Sequence, residues 1–202
     1  MYYIWKPIPR SFFRALLKGF VPDIFRSYFD LKGSFFNQQA KCKSEATLLA
    51  YSFVISIVLF LERLPGKVVN NSSSMEATIS PLLPMIGIDL FASIFFVPLF
   101  LYLIAAVLHI FFLPFNGKAS FFESRLAFFW SAIICSPIIL IFALLEVLLK
   151  NIFLINLIQY LMVAITAWIF SLLLCTAEGV YIHRPIFISL SFTYFLLSYL
   201  SS

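Results

Sequence analysis

Charge is scarce in this sequence. Only 11% of the residues are Asp, Glu, Lys or Arg, whereas soluble domains carry about 25%. Hydrophobic residues make up 62%, and 26 of the 202 residues are Phe. A water-soluble fold of this length could not bury that much apolar surface. The composition therefore excludes a water-soluble globular protein.

Catalytic and metal-binding patterns are also missing. The sequence has no Gly-rich phosphate loop, no His-Glu-x-x-His motif and no Gly-x-Ser-x-Gly turn. Its two histidines, His109 and His183, are too few and too poorly joined to Cys or acidic residues to predict a metal site. We therefore predict a protein that is not an enzyme and that needs no cofactor.

Long apolar runs are present instead. Two of them, residues 83–113 and 121–148, exceed the roughly 20 residues that cross a bilayer core. A membrane β-barrel would need alternating segments of about ten residues, so the pattern favours helices. We predict an all-α polytopic membrane protein with one five-span domain, residues 45–202. The predicted spans are residues 45–62, 83–113, 121–148, 152–176 and 186–200.

Prolines and glycines set the expected helix ends and bends. Pro65 and Gly66 predict the end of the first span, followed by a polar loop over residues 67–80. Pro98 and Pro137 lie inside apolar runs, where each removes one helical hydrogen bond, so we expect a kink at both.

The connection between the second and third spans has its own signals. Asn116-Gly117 is typical of a tight turn. Ser120 and Glu123 have the spacing of a capping box, in which each side chain bonds the backbone N–H of the other residue. The third span is therefore expected to begin immediately after Ser120.

The N-terminal segment, residues 1–44, holds eight of the fourteen basic residues. We predict two short amphipathic helices here that lie in the membrane interface, separated at Pro22 and closed by Lys32-Gly33, with residues 33–44 as a linker. A docking surface for a cytosolic partner is the alternative. The apolar stripe of the first helix consists of Phe12, Phe13, Leu16, Leu17 and Phe20, and that of the second of Ile24, Phe25, Tyr28 and Phe29.

Orientation follows from the distribution of basic residues. With a cytoplasmic N-terminus, eleven Lys and Arg residues lie on the inner side and three on the outer side, as the positive-inside rule requires. The C-terminus is then expected outside. Because the basic residues lie at membrane edges, the net charge of +5 indicates contact with the lipid bilayer and no nucleic-acid partner.

Acidic residues near the outer face form a first candidate site. Glu62, Asp89 and Glu146 are expected at similar depth, and Asp89 lies about six residues inside its span. A cation or proton site shared by three helices is one interpretation. The preferred interpretation is structural, with Glu62 and Glu146 at span ends and Asp89 paired or capping locally.

The inner face carries a second group of ionisable residues: His109, Glu123, Arg125, Glu178 and His183. We expect an ion pair between Arg125 and Glu178 that joins the third and fourth spans. A pocket for a lipid headgroup or a protein partner is the functional alternative, since Arg can bind a phosphate through two hydrogen bonds.

A family resemblance is carried by three stretches. They are Val97-Pro98-Leu99-Phe100-Leu101-Tyr102-Leu103 with His109, Ser124-Arg125-Leu126-Ala127-Phe128-Phe129-Trp130 with Pro137, and Ala177-Glu178. The chain resembles bacterial, alphaproteobacterial-type members of the Yip1-domain family of five-span membrane proteins. Eukaryotic relatives have a cytosolic N-terminus and are implicated in vesicle traffic with small GTPases; their longer cytosolic segment is not visible here.

The resemblance implies a noncatalytic integral membrane protein of the bacterial inner membrane. Such a protein would act as a scaffold or accessory subunit in membrane organisation or a trafficking-like process, with other membrane proteins or a larger membrane complex as partners. The alternative is a small transporter or channel subunit that uses Asp89 as its ion or proton group.

Overall fold

The computed structural model describes residues 10–72, 82–115, 117–149 and 152–180. Within these ranges the chain is helical and contains no strand. The α-helices are α1 (Arg10–Ser27), α2 (Leu31–Lys41), α3 (Glu45–Ser72), α4 (Leu82–Phe112), α5 (Phe121–Leu148) and α6 (Ile152–Glu178), with a short 3₁₀ turn at Leu113–Phe115. Four of them, α3 to α6, are long and apolar enough to cross a membrane. The protein is therefore a helical integral membrane protein; the predicted fifth span lies outside the described residues.

The N-terminal helices are divided differently from the prediction. α1 continues through Pro22 to Ser27, and α2 begins at Leu31, so Lys32 and Gly33 lie in its first turn instead of at its end. Asp30 caps α2 by accepting a hydrogen bond from the Gly33 N–H at 2.9 Å. The predicted break at Pro22 and the predicted linker over residues 33–44 are both wrong. α1 tolerates its proline because both flanks are held, with Phe20 packed on the bundle and the Ser27 hydroxyl bonded to the Asp23 carbonyl at 2.7 Å.

The first span is also longer than expected. α3 passes through Pro65 and Gly66 and ends at Ser72, so residues 67–72, the described part of the predicted polar loop, are helical. A proline inside a helix removes one backbone hydrogen bond, whereas a helix end leaves several carbonyl groups without a partner in the helix. Continuing the helix is the smaller loss.

The next three helices match the predicted spans within a few residues. α4 and α5 contain Pro98 and Pro137 and continue on both sides of each. The capping box at Ser120 and Glu123 is confirmed, since both reciprocal hydrogen bonds are present. α6 ends at Glu178, where Gly179 takes a positive φ of 68° and the Val180 N–H bonds the Cys175 carbonyl at 3.0 Å. This glycine-dependent termination determines where Glu178 lies.

α5 is the central helix of the described bundle, and it contacts all the others. Residues 126–136 are buried without interruption, which means that neighbours surround the helix over about three turns. From Pro137 to the end of the helix only Ala143 is buried. The bundle is thus thickest around the first half of α5.

The α1–α2 hairpin supplies much of that extra thickness. Gln39 of α2 lies beside Glu123 at the start of α5, Ser34 beside Trp130 about two turns further on, and Tyr28 beside Ile134. The residue numbers fall along α2 as they rise along α5, so the two helices are antiparallel. α2, most of which was predicted to be a linker, packs along the bundle. The interfacial position predicted for the N-terminal segment stays a prediction.

Candidate functional site

Two charged layers bound an uncharged region of the four long helices, α3 to α6. One layer, the Arg125 end, contains Arg125 and the start of α3. The other, the Asp89 end, contains Asp89 and the end of α5 near Glu146. Arg125 and Glu146 are 21 positions apart along α5 with no other charged residue between them, which corresponds to a rise of about 31 Å. That distance matches the roughly 30 Å of a bilayer core.

Arg125 pairs with Glu45 at the first turn of α3. Its two terminal nitrogens donate to the Glu45 carboxylate at 3.1 and 2.6 Å, and its Nε donates to the Phe121 carbonyl at 3.1 Å. The guanidinium also lies 4.6 Å from the centre of the Phe121 ring. This bidentate pair joins α5 to α3. The expected pair with Glu178 is wrong, because Glu45 presents its carboxylate next to Arg125 while Glu178 is engaged by α4.

Glu178 is the most completely buried charged residue of the described chain, with no exposed surface. Its carboxylate lies 3.0 Å from Nδ1 of His109, whose side chain is 12% exposed. The Ala119 N–H donates to the same carboxylate at 3.3 Å, and the Lys118 N–H donates to the Glu178 backbone carbonyl at 2.9 Å. One acidic residue at the end of α6 therefore holds the end of α4 and the connection to α5.

The lack of a side chain at Gly117 leaves room for this arrangement. A Cβ atom at that position would lie 2.6 Å from Oε2 of Glu178 and 3.0 Å from the Phe112 carbonyl. The Gly117 N–H instead donates to that carbonyl at 3.2 Å. The Asn116-Gly117 signal indicated a turn, but it did not indicate that a carboxylate from α6 would occupy the space beside it.

Glu123 caps α5 and also joins α5 to α2. One carboxylate oxygen accepts from the Ser120 N–H at 2.7 Å, and the other accepts from Nε2 of Gln39 at 2.5 Å. The capping role was predictable from spacing. The contact with α2 was not, because it depends on how the hairpin docks.

A polar seam connects the hairpin to the bundle, and sequence reasoning missed it. Tyr28 donates its hydroxyl to the Ile134 carbonyl at 2.6 Å, and Nε1 of Trp130 donates to the Ser34 hydroxyl at 2.8 Å. Ser27 and Ser34 share a hydrogen bond, although Ser27 is fully buried. The sequence signal for this seam is a set of Ser and Gln residues that lie among the phenylalanines of the segment.

Aromatic packing completes this contact. Phe20 of α1 lies 5.6 Å from the ring of Tyr51 and 6.1 Å from that of Trp130, between ring centres. Tyr51 also donates its hydroxyl to Gln38 of α2 at 3.2 Å. Of the predicted first stripe, Phe20 is the member whose side chain is described. The second stripe divides, with Ile24 toward the core and Phe25 and Phe29 exposed.

At the Asp89 end the described chain shows a local pair for Asp89, as the preferred structural interpretation expected, and not the alternative site shared by three carboxylates. Asp89 forms an ion pair with Lys67, which α3 carries past the predicted end of the first span. Glu62 is within electrostatic range of Arg63 and Glu146. The extension of α3 supplies the partner, because it brings a lysine opposite Asp89.

The remaining reactive groups do not assemble into a centre. No group of three or more His, Cys, Asp or Glu residues that could hold a metal is found among residues the structure describes. The three cysteines are free and buried. Burial raises the pKa of the Cys42 thiol, which lies between α2 and α3.

No family model matches the chain, and no curated protein or solved structure matches it either.

Proposed function

We propose that the protein is a noncatalytic scaffold or accessory subunit of the bacterial inner membrane, of Yip1 type. It has five spans, the fifth over residues 186–200, with a cytoplasmic N-terminus and an external C-terminus. Its partners are the lipid bilayer and other membrane proteins. The family assignment rests on the resembling stretches, and the orientation rests on the distribution of basic residues.

One observation carries the proposal of a structural role. Five of the polar residues that were candidates for function each contact another helix or its connection. Asp89 binds Lys67, His109 binds Glu178, Glu123 binds Gln39 and Arg125 binds Glu45. Ionisable groups in a membrane domain are costly unless paired. Their use in fixing helices supports a protein whose task is to maintain a particular bundle surface.

The test compares assembly with transport. The full chain, purified in mild detergent, is expected to run as an assembly larger than its 23.2 kDa monomer. Reconstituted into liposomes, it is expected to give the same proton and cation flux as empty vesicles, with or without Asp89→Asn. A monodisperse monomer that shows Asp89-dependent flux would favour the transporter interpretation.

The topology is tested with an impermeant thiol reagent on intact cells. Single cysteines at Ser73 and Ser201 are expected to react from outside, and one at Lys43 is expected not to react. Lys43 is the better internal control because it is exposed, whereas native Cys42 is buried and its raised pKa slows reaction from either side. Labelling at Ser73 with protection at Ser201 would reject the five-span count.

A further inference from the structure

The α1–α2 hairpin extends well inside the uncharged region. Ile134, which accepts the hydrogen bond from Tyr28, lies nine residues beyond Arg125 along α5. That separation corresponds to about 14 Å of helix rise, close to half the thickness of the bilayer core. The tip of the hairpin, residues 28–30, is therefore near the middle of the layer bounded by the two charged ends.

A polar groove runs between the two helices of this hairpin. Its volume is about 560 Å³, within the range of small-molecule sites, about 300–1,000 Å³. Apart from Phe29 and Gly33, every residue that lines it is charged or polar. The lining residues are Asp23, Arg26, Phe29, Asp30, Gly33, Ser34, Asn37, Gln38 and Lys41.

The charges of the groove balance, but two of them lack a counterpart. Lys41 and Asp23 pair with each other at 2.5 Å. Arg26 has no ion pair or side-chain hydrogen bond to another residue of the described chain, and the Asp30 carboxylate accepts only the backbone N–H of Gly33 there. A cation and an anion near mid-depth are thus left to be neutralised by something outside these residues. In an apolar layer that requirement is strong.

The surroundings of the groove are apolar and open. Phe29, which lines it, is 94% exposed, and Phe25 one turn earlier is also exposed. In a membrane these rings contact acyl chains. An occupant must therefore combine a positive group, a negative group and attached hydrocarbon.

We propose that the groove binds the zwitterionic headgroup of a phospholipid, drawn below the level of its neighbours. The phosphate binds the Arg26 guanidinium through charge-assisted hydrogen bonds. The ammonium of an ethanolamine headgroup binds the Asp30 carboxylate, and the side-chain amide oxygen of Asn37 is a second acceptor. The acyl chains lie along Phe25 and Phe29. Because the groove is neutral overall, it favours a zwitterion over an anionic lipid. The site is independent of the scaffold role.

Native mass spectrometry of the full, delipidated chain in detergent tests this site. Dioleoyl phosphatidylethanolamine is titrated against dioleoyl phosphatidylglycerol. The wild type is expected to bind the ethanolamine lipid more tightly. Arg26→Gln is expected to weaken that binding about tenfold, as loss of a charge-assisted contact implies. The matched control, Arg63→Gln, changes an exposed arginine at the Asp89 end and is expected to leave binding unchanged.

Asp30→Asn provides a second variant, because asparagine also caps helices well and α2 is retained. It is expected to reduce the preference for the ethanolamine lipid over the glycerol lipid. Equal binding of both lipids by the wild type, or unchanged binding in Arg26→Gln and Asp30→Asn, would overturn the proposal. Equally tight binding of soluble glycerophosphoethanolamine would overturn the membrane lipid as the source of the headgroup.

Discussion

The two halves of α5 have opposite relations to their surroundings. The first half, residues 124–136, is almost wholly buried and contains Ser124, Ser131, Ser136, small alanines and a hydrogen-bonded Trp130. The second half, residues 137–148, is built mainly from Ile, Leu and Val, and all of its residues except Ala143 are half-buried or exposed. In a soluble protein the more apolar half would be the buried one.

The difference shows what drives packing in this protein. Lipid tails solvate Leu and Ile about as well as a protein interior does, so large apolar side chains gain little by leaving lipid. Small residues allow close approach of helices, and polar groups gain hydrogen bonds that lipid cannot supply. The seam that Tyr28, Ser34 and Trp130 make is of this kind. In α5 the part that contains the small and polar residues is the buried one.

The largest expected effect is in the first half of α5. Trp130→Ala removes a fully buried ring and its hydrogen bond to Ser34, so we expect the free energy of unfolding to fall by about 3–5 kcal/mol. Leu144→Ala, in the exposed second half, should change it by less than about 0.5 kcal/mol. Unfolding of both variants in detergent micelles measures the contrast. Similar losses of unfolding free energy in the two variants would mean that the second half of α5 does not face lipid.

The next largest effect is expected from replacing Glu178, compared with replacing Glu146. Glu178→Ala leaves His109 and the Ala119 N–H without their partner in a buried place, and we expect a loss of about 3 kcal/mol. Glu146→Ala removes a partly exposed carboxylate at the other end of the bundle, and we expect less than about 1 kcal/mol. Thermal denaturation followed by fluorescence separates them. Equal denaturation temperatures for the two variants would show that Glu178 does not stabilise the bundle.

Gly117→Ala tests the contact between Glu178 and the turn without changing a charge. The added methyl group meets the Glu178 carboxylate at 2.6 Å, so we expect a loss of about 1–3 kcal/mol through displacement of the turn. Gly87→Ala, in α4, meets nothing within 4 Å and should be neutral or slightly stabilising. A tolerated Gly117→Ala would show that the contact between Glu178 and the turn is loose.

The smallest expected effect concerns Arg125 and Glu45. The Glu45 side chain is 58% exposed, so solvent screens the pair and Arg125→Ala should cost about 1 kcal/mol or less. The exchange Arg125→Glu with Glu45→Arg should restore part of that loss, whereas Arg125→Glu with Glu178→Arg should not. A double-mutant cycle measures both couplings. Coupling to Glu178 in place of Glu45 would contradict the observed pairing.

The candidate polar residues were recognisable, but their partners were not. Charges within apolar runs identified Asp89, Arg125 and Glu178, because such residues are rare in membrane helices. Their pairing depended on which helices are neighbours and on how far each helix continues. Lys67 lies opposite Asp89 because α3 continues past Pro65. The helix continues because ending it would leave more backbone groups unpaired than the proline does.

The sequence by itself determined that this is a helical membrane protein, since its apolar runs allow no other way to pair the backbone in lipid. It also determined the limits of α4 and α5 and the cap at Ser120, which depend on neighbouring residues. The tertiary structure alone decided that the α1–α2 hairpin packs along α5. That position arises from hydrogen bonds between residues about a hundred positions apart, such as Tyr28 with Ile134, which local spacing does not encode.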